Sequence, residues 1–89
     1  MNTQRIFEEL IRILEANGVK IREEPLGGGG GGLCSIKGQW TLFVDTQAPS
    51  AVMAEICAEA VSQAMDIERI YIIPEIREYI EGHSKQVKE

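Results

Sequence analysis

The sequence is poor in the residues from which most enzymes assemble a site. Among 89 residues there is one histidine, His83, and there are two cysteines, Cys34 and Cys57. A zinc centre needs several nitrogen or sulfur ligands at close spacing, and this inventory does not supply them. There is no nucleophile elbow and no Ser/His/Asp set. Positive charge is also scarce: nine Lys and Arg stand against 14 Asp and Glu, a net charge of −5. A nucleic-acid backbone wants a basic face, and so does an anionic membrane surface, so neither is an expected partner. No apolar run is long enough to span a bilayer. Glu8, Glu9, Arg12 and Glu15 interrupt residues 1–16, so no leader peptide is expected there and the cytoplasm is the expected compartment. Both cysteines lie inside apolar patterns. In a reducing compartment they read as buried small hydrophobes, with a disulfide as the lesser alternative.

What the chain does have is glycine, and its distribution is uneven. Six of nine glycines are consecutive, Gly27 to Gly32. The stretch from Leu26 to Asp45 organises the rest. After the glycines, Leu33–Lys37 and Trp40–Thr46 read as two strands of a hairpin, with the turn placed at Gly38-Gln39. In the second strand Trp40, Leu42 and Val44 share one face. Thr41, Phe43 and Asp45 share the other, and Phe43 suggests that this face too is partly covered.

Upstream, Ile6, Phe7, Leu10, Ile13 and Leu14 recur at helical spacing, which predicts a helix over 3–16 that Asn17-Gly18 stops. Val19 to Glu24 alternates, Val19 and Ile21 to one side and Lys20 and Arg22 to the other; this is a half-buried strand ended by Pro25. Downstream, Pro49 opens a helix over 49–65. Its apolar residues cover roughly 200° of the circumference, leaving Glu55, Glu59, Ser62 and Gln63 as a narrow polar arc. Such a helix is expected to be covered on two sides. Arg69 to Ile73 is short and β-branched and reads as a fourth strand. Pro74 then starts a short helix with Ile76, Tyr79 and Ile80 inward, stopped at Gly82. The expected fold is α+β in one domain over 1–82. It comprises an N-terminal helix, a mainly antiparallel sheet of three or four strands, and two C-terminal helices packed on it. Residues 83–89 are expected to be a frayed polar tail.

The glycine run invites a phosphate-binding reading. A P-loop requires Lys and Ser/Thr after the last glycine, and here Leu33 and Cys34 follow. A dinucleotide fingerprint requires a helix next, and here a strand follows. The spacing Gly27, Gly29, Gly32 fits a kinase glycine loop, but six glycines fit almost any spacing and the other kinase motifs are absent. A flexible connection between strands is the main reading, with a ligand- or phosphate-binding loop as the alternative. Glu55 and Glu59, one helical turn apart, read as a solvated helix face; a cation site or acid–base pair is the alternative.

The order of helix, strand, Pro-Leu, glycine-rich connection, hairpin ending in Leu-Phe-Val-Asp and apolar helix resembles the small zincin domain of ImmA/IrrE-type bacterial metallopeptidases. In that family the helix carries His-Glu-x-x-His, whose histidines share a zinc while the glutamate activates its water. Here Ala54-Glu55-Ile56-Cys57-Ala58 stands in that place. Glu55 matches the glutamate, and alanines replace both histidines. The resemblance therefore implies a degenerate copy without the metal, and peptidase activity does not carry over.

The function expected from these readings is a small cytoplasmic interaction module, not an enzyme, with no cofactor and no metal. Its partner is another protein or a second copy of the chain. The flank Ala54, Ala58, Val61 and Met65 is the expected interaction surface, because small residues four apart permit close helix approach.

Overall fold

The computed structural model describes residues 1–83; residues 84–89, most of the expected tail, lie outside the described residues. The elements run α1 (Thr3–Ala16), β1 (Lys20–Glu24), β2 (Gly32–Ile36), β3 (Gln39–Asp45), α2 (Ser50–Ala64) and α3 (Pro74–His83). This is the expected α+β layout. Helix α3 runs through His83, one residue past the expected stop.

Helix α1 begins where the Asn2 side chain accepts the Arg5 N–H at 2.9 Å, which satisfies one of the free donors of the first turn. It ends at Asn17, whose side chain returns to the Ile13 carbonyl at 2.8 Å. The Val19 N–H then reaches back to Leu14 O at 3.0 Å. That closure sends the chain directly into β1. The predicted stripe is the one that packs: Ile6, Leu10 and Leu14 are buried, with Phe7, Ile11 and Ile13 beside them.

Among the described residues the sheet has three strands, in the order β1-β3-β2. β2 and β3 form the hairpin and pair antiparallel, whereas β1 pairs parallel with β3. The sheet is therefore mixed, and β3 is central. The parallel pair exists because the chain leaves β1, crosses the end of β3, and enters β2 on its far side. The glycine run makes that crossing, over roughly two strand spacings or about 10 Å. The hairpin turn sits at Lys37-Gly38, one residue earlier than expected, with φ of 52° and 80°. Two residues at positive φ match the right-handed twist of the strands they join.

The fourth strand at Arg69–Ile73 does not form. The Arg69 N–H is spent in a turn on Asp66 O, and Ile73 O accepts the first N–H groups of α3. Only three residues remain between those commitments, too few for a ladder. Of them Ile72 is buried in the core and Tyr71 is exposed.

Helix α2 is the centre of the core. α1 and α3 both lie against it, and its sheet side meets β2 and β3. Met53, Ala54, Cys57, Ala58, Ala60 and Val61 are all buried. The expected coverage on two sides is thus provided inside one chain. Because strand side chains alternate, Leu42 and Val44 of β3, with Ile21 and Leu33 beside them, face these helices. Among the described residues no helix covers the opposite face. No helix among them is long and apolar enough to cross a membrane.

Candidate functional site

The glycine run is a built loop, and Asp45 is its centre. Asp45 ends β3, two residues beyond the last β2 partner, Gly32↔Phe43. Its carboxylate stands where the crossing chain passes. Oδ1 accepts the N–H of Leu26 at 2.9 Å and of Gln47 at 2.9 Å. Oδ2 accepts the N–H of Gly28 at 2.7 Å and of Gly30 at 3.0 Å. The Gln47 side chain takes the Gly27 N–H at 2.7 Å. Asp45 is 1% exposed, and burial by itself raises a carboxyl pKa. The four backbone donors outweigh that and hold it below the ordinary aspartate value.

Two glycines allow the loop to lie this close. A Cβ on Gly31 would stand 1.7 Å from Phe43 O, a backbone atom that cannot step aside. Gly30 has φ +99°, and a Cβ there would meet Ile56 Cδ1 at 2.6 Å. The flexible-connector expectation is therefore corrected: the N–H groups of the loop converge on an internal carboxylate. Those are the groups a phosphate would need, and Asp45 both occupies and repels from that position. The signal for this was the Asp45-Thr46-Gln47 turn, since an aspartate commonly accepts the N–H two residues on.

Beside the loop, a cavity of about 260 Å³ opens between the ends of β1 and β3 and the starts of α1 and α2. Gln4, Glu23, Asp45, Thr46 and Ser50 supply its polar lining, and Phe7 and Met53 part of its apolar wall. The Ser50 hydroxyl is bonded to the Thr3 hydroxyl at 3.0 Å. Among the described residues no histidine lines the cavity. Among the described residues no group of three His, Cys, Asp or Glu side chains could hold a metal ion.

The residues expected to form an interaction surface are placed elsewhere. Ala54, Ala58 and Val61 are each 0% exposed, and Met65 is half-buried against the same core. Three of the four residues of this flank are thus covered by the chain's own elements. Glu55 is exposed and Glu59 half-buried on the polar arc. The cysteines separate: Cys57 is buried, its thiol pushed up to about 12 by burial, whereas Cys34 is exposed on β2. Cys34 is thus not the buried hydrophobe expected, because its strand face has no layer over it. Burial, with the nearby Glu55 and Cys57 adding to it, raises the Tyr79 hydroxyl pKa. The His83 ring stacks on Tyr79 at 4.0 Å.

The bare face of the sheet was not singled out from sequence. Lys20 and Arg22 of β1, Thr41 and Phe43 of β3, and Cys34 and Ile36 of β2 share it by register. Thr41 is buried beneath its neighbours, and Ile36 is 46% exposed. The Arg22 guanidinium lies 5.6 Å over the Phe43 ring. Among the described residues no strand pairs with the outer edge of β2. Residues flanking a two-residue turn form a hydrogen-bonded pair, so Ile36, Cys34 and Gly32 direct their backbone groups to β3, while Leu33 and Ser35 direct theirs outward. β2 carries no charged residue, unlike β1, Lys-Ile-Arg-Glu-Glu. Comparison with known proteins adds nothing to this geometry: no protein-family model, no curated protein and no solved structure matches the chain.

Proposed function

We propose that the protein is a small non-catalytic interaction module of the cytoplasm that docks a partner protein on the bare face and β2 edge of its sheet. The observation that carries this reading is the asymmetry of that sheet. One face is packed by helices, while the other presents Ile36 and Phe43 beside an uncharged, unpaired edge strand. Free edges of this kind pair readily with an added strand, and proteins usually protect them with charge, as β1 does. The ligand-binding alternative loses its main support, because the glycine loop is filled by Asp45. On this reading any kinship with zincin domains is that of a relic: Ala54 and Ala58 are sealed in the core while Glu55 faces solvent.

A photoreactive benzoylphenylalanine at position 36, compared in cells with the same residue at the exposed position 78 of α3, tests the reading. A discrete protein adduct from position 36 alone is expected. Equal, diffuse labelling from both positions would refute a docking role for the bare face.

A further inference from the structure

The cations of this acidic chain are not spread evenly. Arg5 and Arg12 pair with Glu9, Arg22 with Glu24, Arg69 with Asp66, and Arg77 with Glu68 and Glu81. Among the described residues Lys20 and Lys37 take part in no ion pair, and both line one groove on the bare face of the sheet. That groove measures about 260 Å³. Lys20 and Arg22 form its β1 side, Ile36 and Lys37 its β2 side, and Gln39 and Thr41 its floor. Among the described residues no carboxylate lines it, the Glu24 partner of Arg22 lying outside the lining.

We propose that this groove binds an extended acidic segment of a partner protein, with carboxylates at alternate positions. The inference rests on the interaction reading above and names the partner's chemistry. An extended chain places every second side chain on one side, about 6.6–7 Å apart, the spacing of Lys20 and Arg22 along β1, while Lys37 faces it from the β2 side of the groove. Ile36 and the aliphatic stems of the lysines give the intervening apolar residues a surface to cover. The rest of the molecule repels such a segment, since the chain carries −5 overall. The groove is thus the place where an acidic strand gains attraction, and the surrounding charge sets its position.

The probe is a fluorescein-labelled peptide of alternating glutamate and valine, with a lysine–valine peptide as control. Both are titrated with the full chain by fluorescence anisotropy. The glutamate peptide is expected to bind and the lysine peptide not to. Lys20→Glu/Lys37→Glu is expected to weaken binding by about tenfold or more, because it turns two attractions into repulsions. Raising salt from ~10 mM to ~150 mM is expected to weaken it as well, as the Debye length shrinks from about 30 Å to about 8 Å. Both substituted side chains are exposed and, among the described residues, outside any ion pair, so circular dichroism should show an unchanged fold. Failure of the glutamate peptide to bind at ~1 mM, a range where even weak complexes of about 4 kcal/mol register, overturns the inference. Equal binding by the double variant, or by a single-stranded oligonucleotide of the same charge, also overturns it. If the peptide fails while position 36 still yields its adduct, the docking face stands and only the acidic partner falls. If both fail, the interaction reading falls with it.

Discussion

Replacing Gly31 by alanine adds a methyl group 1.7 Å from Phe43 O and 2.5 Å from the Phe43 carbonyl carbon. A carbon and a carbonyl oxygen approach no closer than about 3.3 Å, so the loop and β3 must part by roughly 1.6 Å. No rotamer relieves this, because both partners are backbone. Overfilled positions of this kind cost about 1–3 kcal/mol, more where nothing can move, and the upper end applies here. For a domain of this size that lowers Tm by about 4–8 °C per kcal/mol, or roughly 12–24 °C in all. Gly29 is two residues away and, like Gly31, lies outside the positive-φ region, but it has the room that Gly31 lacks. Nothing lies within 4 Å of its Cβ position. Gly29→Ala removes freedom from the unfolded chain without strain, which stabilises by about 0.4–1 kcal/mol. The same substitution at two members of one glycine run is therefore expected to move Tm in opposite directions.

Thermal unfolding followed by circular dichroism, with urea titrations for the free energies, measures both. A merely flexible connection would tolerate the two changes alike. If Gly31→Ala unfolds within about 2 °C of the parent, less than half a kcal/mol here, the close crossing over Phe43 is wrong. If Gly29→Ala is as damaging as Gly31→Ala, the assignment of roles within the run is wrong.

Other expectations follow from buried groups. Asp45→Asn presents an amide nitrogen to N–H donors, so hydrogen exchange at residues 26–30 should quicken; unchanged protection would contradict the wrapped carboxylate. Because the Asp45 pKa is depressed in the folded state, its contribution is complete above the ordinary aspartate value of about 3.9 and is lost as pH falls below that toward the folded value. The parent should accordingly lose more of its urea midpoint than Asp45→Asn over that acid range, and parallel curves would refute this. Ala58→Glu buries an unpaired carboxylate in the core among α1, α2 and α3 and should unfold the protein at every concentration; a stable variant, or unfolding only on dilution, would show that the flank is not closed within the chain. One thiol, Cys34, should react at once with a disulfide reagent and Cys57 only after unfolding, so two fast thiols or none would count against the structure.

The helices were legible because their signals are local and redundant. α1 announces itself by stripe and stop, and the breadth of the apolar surface on α2 correctly implied cover on two sides. What covers it was not legible, since a small apolar flank fits a second copy as well as α1. Arg69–Ile73 has strand-like residues, yet a segment squeezed between a turn at Asp66 and the start of α3 has no backbone groups to spare. The basic groove was half visible: Lys20 and Arg22 alternate outward in the sequence, but only the folded hairpin carries Lys37 to the same face.

The glycine loop and Asp45 turn on a single ambiguity. Placing the turn at Gly38-Gln39 would pair Lys37 with Trp40 and, continuing the ladder, Gly32 with Asp45. Asp45 would then sit inside the sheet, opposite a glycine, and the loop would start beyond it. With the turn at Lys37-Gly38, Gly32 pairs with Phe43 and Asp45 projects past the end of β2. Locally the two turns are close rivals, since glycine suits either position and Lys37 at φ 52° is mildly strained. What separates them lies elsewhere in the fold: the observed register exposes a carboxylate to three backbone N–H groups of the crossing chain, which must be satisfied in any case, and to that of Gln47 beyond β3. The six glycines and the aspartate that follows them 13 residues later thus form one device. The register of the hairpin, which no periodicity in the sequence reports, is what brings its two halves together.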